Sequence, residues 1–173
     1  MNAIKISIAT STDFKIIQEI GRETFYETFA SGNAEEVMQQ YLQTSFSAEK
    51  VKTELNHPNS LFFIAWDHQI PIGYLKVNMN DSQTELQESD SLEIERIYVK
   101  AHYHGKKVGQ LLYDQTVEIA MKKMKKSIWL GVWEENPKAI RFYEKNGFVP
   151  FSRHIFKMGD EEQTDIMMRK IIA

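Results

Sequence analysis

The sequence predicts an α/β fold with a mixed, mostly antiparallel twisted sheet, a central parallel strand pair and flanking helices. Two observations lead to this prediction. The region from Ser91 to Trp133 reads as strand, helix and strand, which within one sheet requires a parallel pair joined by a right-handed crossover. The regions on either side contain pairs of strand-like segments joined by short polar turns, which are typical of antiparallel hairpins.

Three helices are expected after an opening strand. The alternating segment "AIKISIA" predicts the strand. Residues Thr10 to Asp13 are capping candidates for a first helix, which carries apolar residues at helical spacing from Phe14 to Phe29. The segments "NAEEVMQQYLQTSF" and "SAEKVKTELNHP" each begin with a capping residue followed by Glu at about the third position. They therefore predict two further short helices.

Three strands are expected next. Leu61 to Trp66 and Pro71 to Met79 predict a hairpin with a turn near Asp67 to Gln69. The third strand, "SLEIERIYV", alternates sharply in polarity. If this strand is regular, one face carries Leu92, Ile94, Arg96 and Tyr98. The other face then carries Glu93, Glu95, Ile97 and Val99.

The second half of the chain predicts two helices and three strands. "GKKVGQLLYDQTVEIAMKKMKK" predicts an amphipathic helix, and the apolar run "SIWLGVW" predicts a buried strand. A short helix from about Pro137 to Lys145 has Pro in its first turn and Gly147 after its end. Two closing strands are expected on either side of Gly159 and Asp160.

Length and composition restrict the class of protein. A length of 173 residues suits one domain spanning residues 1–173. The absence of cysteine excludes disulfide bonds, a thiolate nucleophile and cysteine-ligated zinc, and it suits a cytoplasmic protein. The first residues lack a signal-peptide pattern, and no segment approaches the roughly 20 apolar residues of a membrane span. A soluble chain without a membrane partner is therefore expected.

The charge distribution excludes some partners and favours others. The formal net charge of −3 argues against direct binding of nucleic acid. Carboxylates are concentrated between Asp81 and Glu95 and lysines between Lys106 and Lys126, so one region can attract cations and the next can attract phosphates. Four histidines lack the spacing of metal ligands, so no metal site is expected at His57, His68, His102 or His154.

The segment "KAHYHGKKVG" is a candidate anion site. It joins a predicted strand to a predicted helix start, where backbone N–H groups and the positive end of the helix dipole meet. Gly105 and Gly109 allow close approach, and His104, Lys106 and Lys107 offer side-chain donors for a phosphate. The alternative is that this glycine-bearing segment is only a turn.

Polar residues near the same sheet edge form a second candidate cluster. Glu93 and Glu95 lie on the strand before the anion site, and the alternative for this pair is the solvent side of a half-buried strand. Asn136 follows the next parallel strand, so it is expected at the same carboxyl edge of the sheet. Ligands of open α/β sheets bind at that edge.

These segments together resemble a known family. "LEIERIYVKAHYHGKKVGQLLYDQTVEIA" followed by "NPKAIRFYEKNGF" resembles the cofactor-binding core of the GNAT superfamily of N-acetyltransferases, and the order of elements matches that fold. "ETFYETFA", "IPIGYLKVN" and "FKMGDEEQTDIMMRK" resemble the PaiA-type polyamine N-acetyltransferases. The resemblance implies a GNAT-like fold with a splayed central strand pair and acetyl-coenzyme A (acetyl-CoA) as co-substrate.

The resemblance also implies the cofactor-binding residues. The pantetheine arm is expected on the backbone of Ile97 and Val99, and the pyrophosphate on the amides of His104 to Gly109. The expected set is Ile97, Tyr98, Val99, His104, Gly105, Lys106, Lys107, Val108, Gly109, Gln110, Asn136 and Tyr143. The family's loop carries Arg or Gln and a middle Gly where this chain has His104 and Lys107. The second departure requires a loop conformation that a residue with a Cβ atom can adopt.

The chemistry implied is direct attack of an amine on the thioester in a ternary complex. An aliphatic amine with a pKa near 10.4 is mostly protonated at neutral pH, so a base is needed. Its place in "EIERIYV" assigns this role first to Glu95, through an ordered water, and second to Glu93. Tyr143 is expected to give a proton to the thiolate leaving group. Its alternative role is an aromatic residue of the core.

The expected acceptor is a polyamine such as spermidine or spermine. The alternatives are another amine, such as a protein N-terminus, a lysine or an aminoglycoside, and a non-catalytic regulatory protein that binds acetyl-CoA. The wall of the acceptor pocket has four aromatic candidates, which fit a buried helix face equally well: Phe25, Tyr26, Phe29 and Tyr41. The chain is expected to be a monomer or a homodimer.

Overall fold

The computed structural model describes residues 3–173, and within them it contains a mixed sheet with helices on both faces. The strands are β1 Lys5–Ile8, β2 Ser60–Asp67, β3 Ile70–Met79, β4 Ser91–Val99, β5 Ser127–Trp133, β6 Val149–Met158 and β7 Glu161–Ile171. The helices are α1 Phe14–Phe29, α2 Glu35–Ser45, α3 Ala48–Leu55, α4 Val108–Lys122 and α5 Pro137–Lys145. Every predicted helix and strand is present in the predicted order.

The sheet has seven strands in the order β1-β2-β3-β4-β5-β7-β6. β4 and β5 are parallel, and all other neighbouring strands are antiparallel. This confirms the predicted mixed sheet with one parallel pair. The last strand, β7, lies between β5 and β6, so the hairpin of β6 and β7 joins the sheet through its second strand.

Local sequence signals explain the starts of α3 and α5. The Ser47 hydroxyl accepts a hydrogen bond from the Lys50 amide and caps α3, and Pro137 occupies the first turn of α5. The expected cap of α2 is wrong. Asn33 donates its side-chain amide to the Phe29 carbonyl at 2.8 Å, and α2 begins after Ala34 without a side-chain cap.

The predicted regular alternation of β4 is wrong because the strand contains a bulge. Lys76 of β3 lies opposite Arg96, but Val77 lies opposite Ile94, so Glu95 is an extra residue without a partner on β3. The bulge reverses the alternation, and side chains that were predicted to share a face are separated. Leu92 and Ile94 share the core on one side of the sheet with Ile97 and Val99, whereas Arg96 and Tyr98 lie on the other side.

Two hydrophobic cores lie on opposite faces of the sheet. One combines the apolar sides of β3 to β5 with α4 and α5, and its buried members include Leu112, Leu130 and Phe148. The other lies under α1, α2 and α3 and includes Ile17 and Met38. Within residues 3–173, none of the helices is both long and apolar enough to cross a membrane.

The parallel pair separates towards its carboxyl ends. Ser91 to Ile94 pair with Ser127 to Leu130. Beyond these residues, the described parts of β4 and β5 form no ladder with each other, although both strands continue. The result is a wedge-shaped opening between Glu95–Val99 and Gly131–Trp133, which we call the wedge.

Candidate active site

One wall of the wedge is the edge of β4. The Lys100 amide, just after β4, donates to the carbonyl of Ile72 in β3 at 2.9 Å. Because the backbone groups of a strand alternate in direction, those of Ile97 and Val99 point away from β3 and into the wedge. Within the described residues, these peptide groups pair with no other strand, and they lie where the pantetheine arm was expected.

The loop after β4 leads into α4 through two residues with positive φ. Gly105 has φ 79°, and Lys107 has φ 65° in the left-handed region. Lys107 thus adopts the conformation for which the family's pattern uses glycine, at a cost that a residue with a Cβ atom must bear.

Only some of the loop amides are available to an anion. The amides of His104 and Lys106 donate to the carbonyls of Ala101 and Tyr103. Among the described residues, the amides from Lys107 to Gln110 have no acceptor, because they form the first turn of α4. The free amides of this loop therefore lie at the helix start, where the positive end of the dipole also lies.

His104 turns its ring into the wedge. Its Nε2 lies 2.7 Å from the Val99 carbonyl oxygen, and its Nδ1 lies 3.2 Å from the Lys138 Nζ of α5. A carbonyl only accepts and an ammonium only donates, so a ring with its hydrogen on Nε2 satisfies both contacts. His104 therefore connects the β4 wall to α5 across the wedge and occupies the Val99 carbonyl.

The Gln110 side chain has a structural contact. Its amide exchanges two hydrogen bonds with Asn146 at the end of α5, at 3.0 and 3.2 Å, and it also donates to Asp114. Gln110 thus joins α4 to α5, and its backbone amide is the part that faces the helix start.

Asn136 is both the cap of α5 and a wall of the site. Its Oδ1 accepts a hydrogen bond from the Ala139 amide at 3.2 Å. Its Nδ2 has no acceptor among residues 3–173, and the residue lines the cavity at the mouth of the wedge. The side chain therefore has a donor left for a ligand.

Tyr143 lies on α5 with only 7% of its surface exposed and contacts Phe142 and Phe148. Its hydroxyl makes no hydrogen bond within the described part of the chain. Burial raises the pKa of Tyr143 above its ordinary value, so the group stays protonated at neutral pH. Burial also raises the pKa of Tyr98, and the neighbouring Tyr74 and Tyr143 raise it further.

Glu93 is anchored in the interior. Its carboxylate accepts hydrogen bonds from the Asn78 amide group and from both the backbone and the hydroxyl of Thr84. Burial raises its pKa above the ordinary value, although these hydrogen bonds oppose the shift. With 3% of its surface exposed, Glu93 holds the segment between β3 and β4 against the sheet.

Glu95 belongs to a four-residue charge network on the face covered by α1 to α3. Its carboxylate contacts the Lys76 ammonium and lies 4.0 Å from Arg96, and both cations also contact Glu54. Burial acts to raise the pKa of Glu95, but Arg96 and Lys76 outweigh it and lower the pKa below the ordinary value. Glu95 therefore carries a permanent negative charge at neutral pH.

A cavity of about 420 Å³ lies at the mouth of the wedge. Its lining includes Val99 at the end of β4, His104 in the loop after β4 and Asn136 after β5, and α1 covers it with Glu27 and Thr28. Glu135 adds a second carboxylate. Neither Glu27 nor Glu135 was predicted from the sequence. The spacing of Glu23 and Glu27, one helical turn apart on α1, was the only available signal for an acidic helix face.

The four aromatic candidates for the acceptor wall have different positions. Phe25 and Phe29 are buried in the core under α1 to α3, and Tyr41 packs against that core. Tyr26 lines a second cavity and donates its hydroxyl to Glu35 at 2.9 Å. Three of these aromatic residues therefore pack as a buried helix face would, and only Tyr26 contacts a cavity.

Comparison with known proteins identifies the family. The family model described as "Acetyltransferase (GNAT) family" matches residues 17–148, which is most of the chain. The chain belongs to the GNAT family. This confirms the resemblance found in the sequence. The GNAT family uses acetyl-CoA, so the chain is an acetyl-CoA-dependent N-acetyltransferase.

Relatives of this GNAT chain extend over its full length. An uncharacterised N-acetyltransferase of Lactobacillus delbrueckii subsp. lactis is 35% identical and covers 100% of both chains. A spermidine N(1)-acetyltransferase of Thermoplasma acidophilum is 27% identical over 97% of both chains. The crystal structure of the PaiA N-acetyltransferase of the same organism, in complex with coenzyme A, superposes with a TM-score of 0.83 and 25% identity. It covers 99% of this chain and 100% of that one.

Within residues 3–173, no three His, Asp or Glu side chains are grouped so that they could hold a metal ion. His154 instead lies 3.5 Å from Glu85 and 3.7 Å from Asp165.

Proposed function

We propose that this GNAT enzyme acetylates a primary amine of a polyamine such as spermidine or spermine. The observation that carries the proposal is the charge of the cavity at the mouth of the wedge. Two carboxylates, Glu27 and Glu135, line this cavity, and no Lys or Arg is among its lining residues. Such a cavity favours a cationic acceptor over an anionic one. The spermidine acetyltransferase of Thermoplasma acidophilum is a full-length relative, which supports the same acceptor class.

The residues present fit acetyl-CoA, which supplies the thioester carbonyl that the amine attacks and the thiol that leaves. The free amides from Lys107 to Gln110 at the start of α4 suit a pyrophosphate. The Ile97 backbone and the Val99 amide suit the peptide-like groups of the pantetheine arm, whereas the Val99 carbonyl already contacts the His104 ring. The free Nδ2 of Asn136 suits the pantetheine or acetyl end of the same molecule.

Tyr143 has the role of general acid in this proposal. A tyrosine with a raised pKa holds its proton at neutral pH and has it available for a leaving group. The thiolate that forms as the bond to the acetyl group breaks takes this proton, although it is a weaker base than the tyrosinate left behind. The Tyr143 hydroxyl has no other partner in the described part of the chain, so it is free to turn towards the leaving sulfur.

Glu95 and Glu93 have different surroundings, which favour Glu95 as the proton acceptor. The Glu93 carboxylate accepts three hydrogen bonds and is almost fully buried. Glu95 keeps 22% of its side chain exposed and a permanent negative charge. We therefore assign the role of proton acceptor to Glu95, which takes a proton from the substrate ammonium group through a water that it orients. We assign a structural role to Glu93.

Release of the CoA thiol, measured with a chromogenic thiol reagent, tests the proposal. The protein contains no cysteine, so every thiol detected comes from CoA. Spermidine and spermine are expected to give a kcat/KM at least tenfold above that of peptides with free N-termini, lysine peptides or aminoglycosides. Release with one of these other amines only would refute the polyamine assignment. Tight binding of acetyl-CoA without release for any amine would indicate a binding protein.

A further inference from the structure

A second cavity continues from the site along the outside of α1. It measures about 520 Å³ and lies between α1 and α2. Glu27 lines both this cavity and the cavity at the mouth of the wedge, so its carboxylate marks their junction. We call the cavity between α1 and α2 the side cavity.

The Glu27 carboxylate is held in place by the backbone. One of its oxygens, Oε2, accepts a hydrogen bond from the Ala101 amide at 2.7 Å, just after the end of β4. The other oxygen has no partner among residues 3–173. A surface glutamate normally samples many rotamers, but this bond fixes the charge at the boundary between the two cavities. One fixed oxygen and one free oxygen are what a substrate ammonium needs for a charge-assisted hydrogen bond.

The side cavity has both charged and apolar surface. Glu23 lies one helical turn before Glu27, about 6 Å along the axis. Glu35 lies across from them on α2, where Tyr26 and Gln39 each donate to its carboxylate at 2.9 Å. Leu42 and the Tyr26 ring add apolar surface to the same lining.

The net charge of the side cavity is negative even when its cations are counted. Three carboxylates and one guanidinium, Arg22, line it, and Arg22 forms no ion pair within the described residues. Glu23 is paired with Lys100 at 3.1 Å, outside the cavity lining. Glu27 and Glu35 are therefore the carboxylates left without a cationic partner.

We propose that Glu27 binds a nitrogen of the polyamine next to the one that is acetylated, and that the side cavity holds the remainder of the substrate. This inference rests on the proposed function and extends it to substrate length. Polyamines alternate ammonium groups with three or four methylene groups, and the lining of the side cavity offers both carboxylates and the apolar surface of Leu42 and Tyr26. Glu27 is thus the residue that distinguishes a linear polyamine from a simple monoamine.

The substitution Glu27→Gln tests this role, because Gln keeps an oxygen for the Ala101 amide and removes only the charge. Glu19→Gln is the matched control, since Glu19 is exposed on the same helix and lines neither cavity. The ratio of kcat/KM for spermidine to that for butylamine is expected to fall roughly tenfold or more in Glu27→Gln, in keeping with the loss of a charge-assisted hydrogen bond. Glu35→Gln is expected to lower the same ratio less, and Glu19→Gln to leave it within twofold.

Calorimetric binding of spermidine to the CoA-saturated enzyme separates this inference from the proposed function. If the wild type acetylates spermidine and the spermidine-to-butylamine ratio of kcat/KM is the same in Glu27→Gln as in Glu19→Gln, the inference is refuted and the proposed function stands. If spermidine binds in a Glu27-dependent way without turnover, the function fails and the side cavity assignment stands. If the wild type neither binds nor acetylates spermidine, both are refuted.

Discussion

Replacing Tyr143 with Phe removes one hydroxyl and leaves the packing of α5 in place. The ring contacts with Phe142 and Phe148, at centroid distances of 5.4 and 5.7 Å, remain available to Phe. The hydroxyl has no partner to lose within residues 3–173, so the free energy of unfolding is expected to change by less than about 1 kcal/mol. The effect is expected in the rate of acetyl transfer.

The size of the rate loss follows from the two pKa values involved. General acids contribute about 10²- to 10⁴-fold. A thiol has an ordinary pKa of about 8.5, so its thiolate leaves readily, and a tyrosine with a pKa above 10 transfers its proton uphill to it. Both facts place the expected loss of rate at the low end of the range for general acids. We expect kcat to fall roughly 100-fold, or about 2.7 kcal/mol in the barrier, while the Kd for acetyl-CoA changes less than threefold.

The matched control is Tyr113→Phe. Tyr113 also contacts Phe148, at 5.9 Å, and its hydroxyl accepts a hydrogen bond from Lys170 at 2.9 Å rather than facing the wedge. This control is expected to lose about 1 kcal/mol of stability and to keep its turnover. Unchanged kcat in Tyr143→Phe, or an equal loss in both variants, would remove Tyr143 from the mechanism.

Three further predictions concern the loop and the two glutamates of β4. Lys107→Gly is expected to be about 1 kcal/mol more stable than Lys107→Ala in urea unfolding, because only Gly relieves the positive φ; equal midpoints would argue against that conformation. Glu95→Gln is expected to lower kcat/KM without moving the midpoint of its pH profile, since the lowered pKa keeps Glu95 ionised across neutral pH; a moved midpoint would contradict this. The stability that Glu95 adds is complete above pH 4.5, the ordinary value, and is lost as the pH falls through its lower folded-state pKa, so the unfolding free energies of wild type and Glu95→Gln should converge below pH 4.5. Glu93→Gln is expected to cost roughly 1–3 kcal/mol in unfolding free energy, because an amide group then faces the donors of Asn78 and Thr84; a neutral effect would show that this contact carries no stability.

Elements with strong local signals could be predicted with nearly correct bounds. The helix Pro137–Lys145 has the same bounds in sequence and structure, because Pro is favoured at its first turn and Gly147, at φ 94°, ends it. The strand Ser127–Trp133 was equally clear from its apolar run. These signals act over a few residues, so they do not depend on how the sheet is assembled.

The walls of the cavities could not be predicted in the same way. Glu27 reaches the site because α1 lies across the wedge, and that placement depends on contacts between residues far apart in sequence. The aromatic residues of the same helix were predicted to line the acceptor pocket instead, and most of them pack in the core. Helical periodicity shows which residues share a face but not which face covers a ligand.

The bulge at Glu95 explains how a single strand serves the core and the site at once. Without the extra residue, Glu95 would stay in phase with Ile97 and Val99 and share their apolar core with Val108 and Leu112. A carboxylate there would be buried without a partner, at a cost of several kcal/mol. The bulge instead leaves Glu95 beside Lys76, on the face that α1 covers, and still turns Ile97 and Val99 into the core. Because their backbone groups point into the wedge, one irregularity fixes both the negative charge proposed for the acceptor side and the peptide edge proposed for the cofactor.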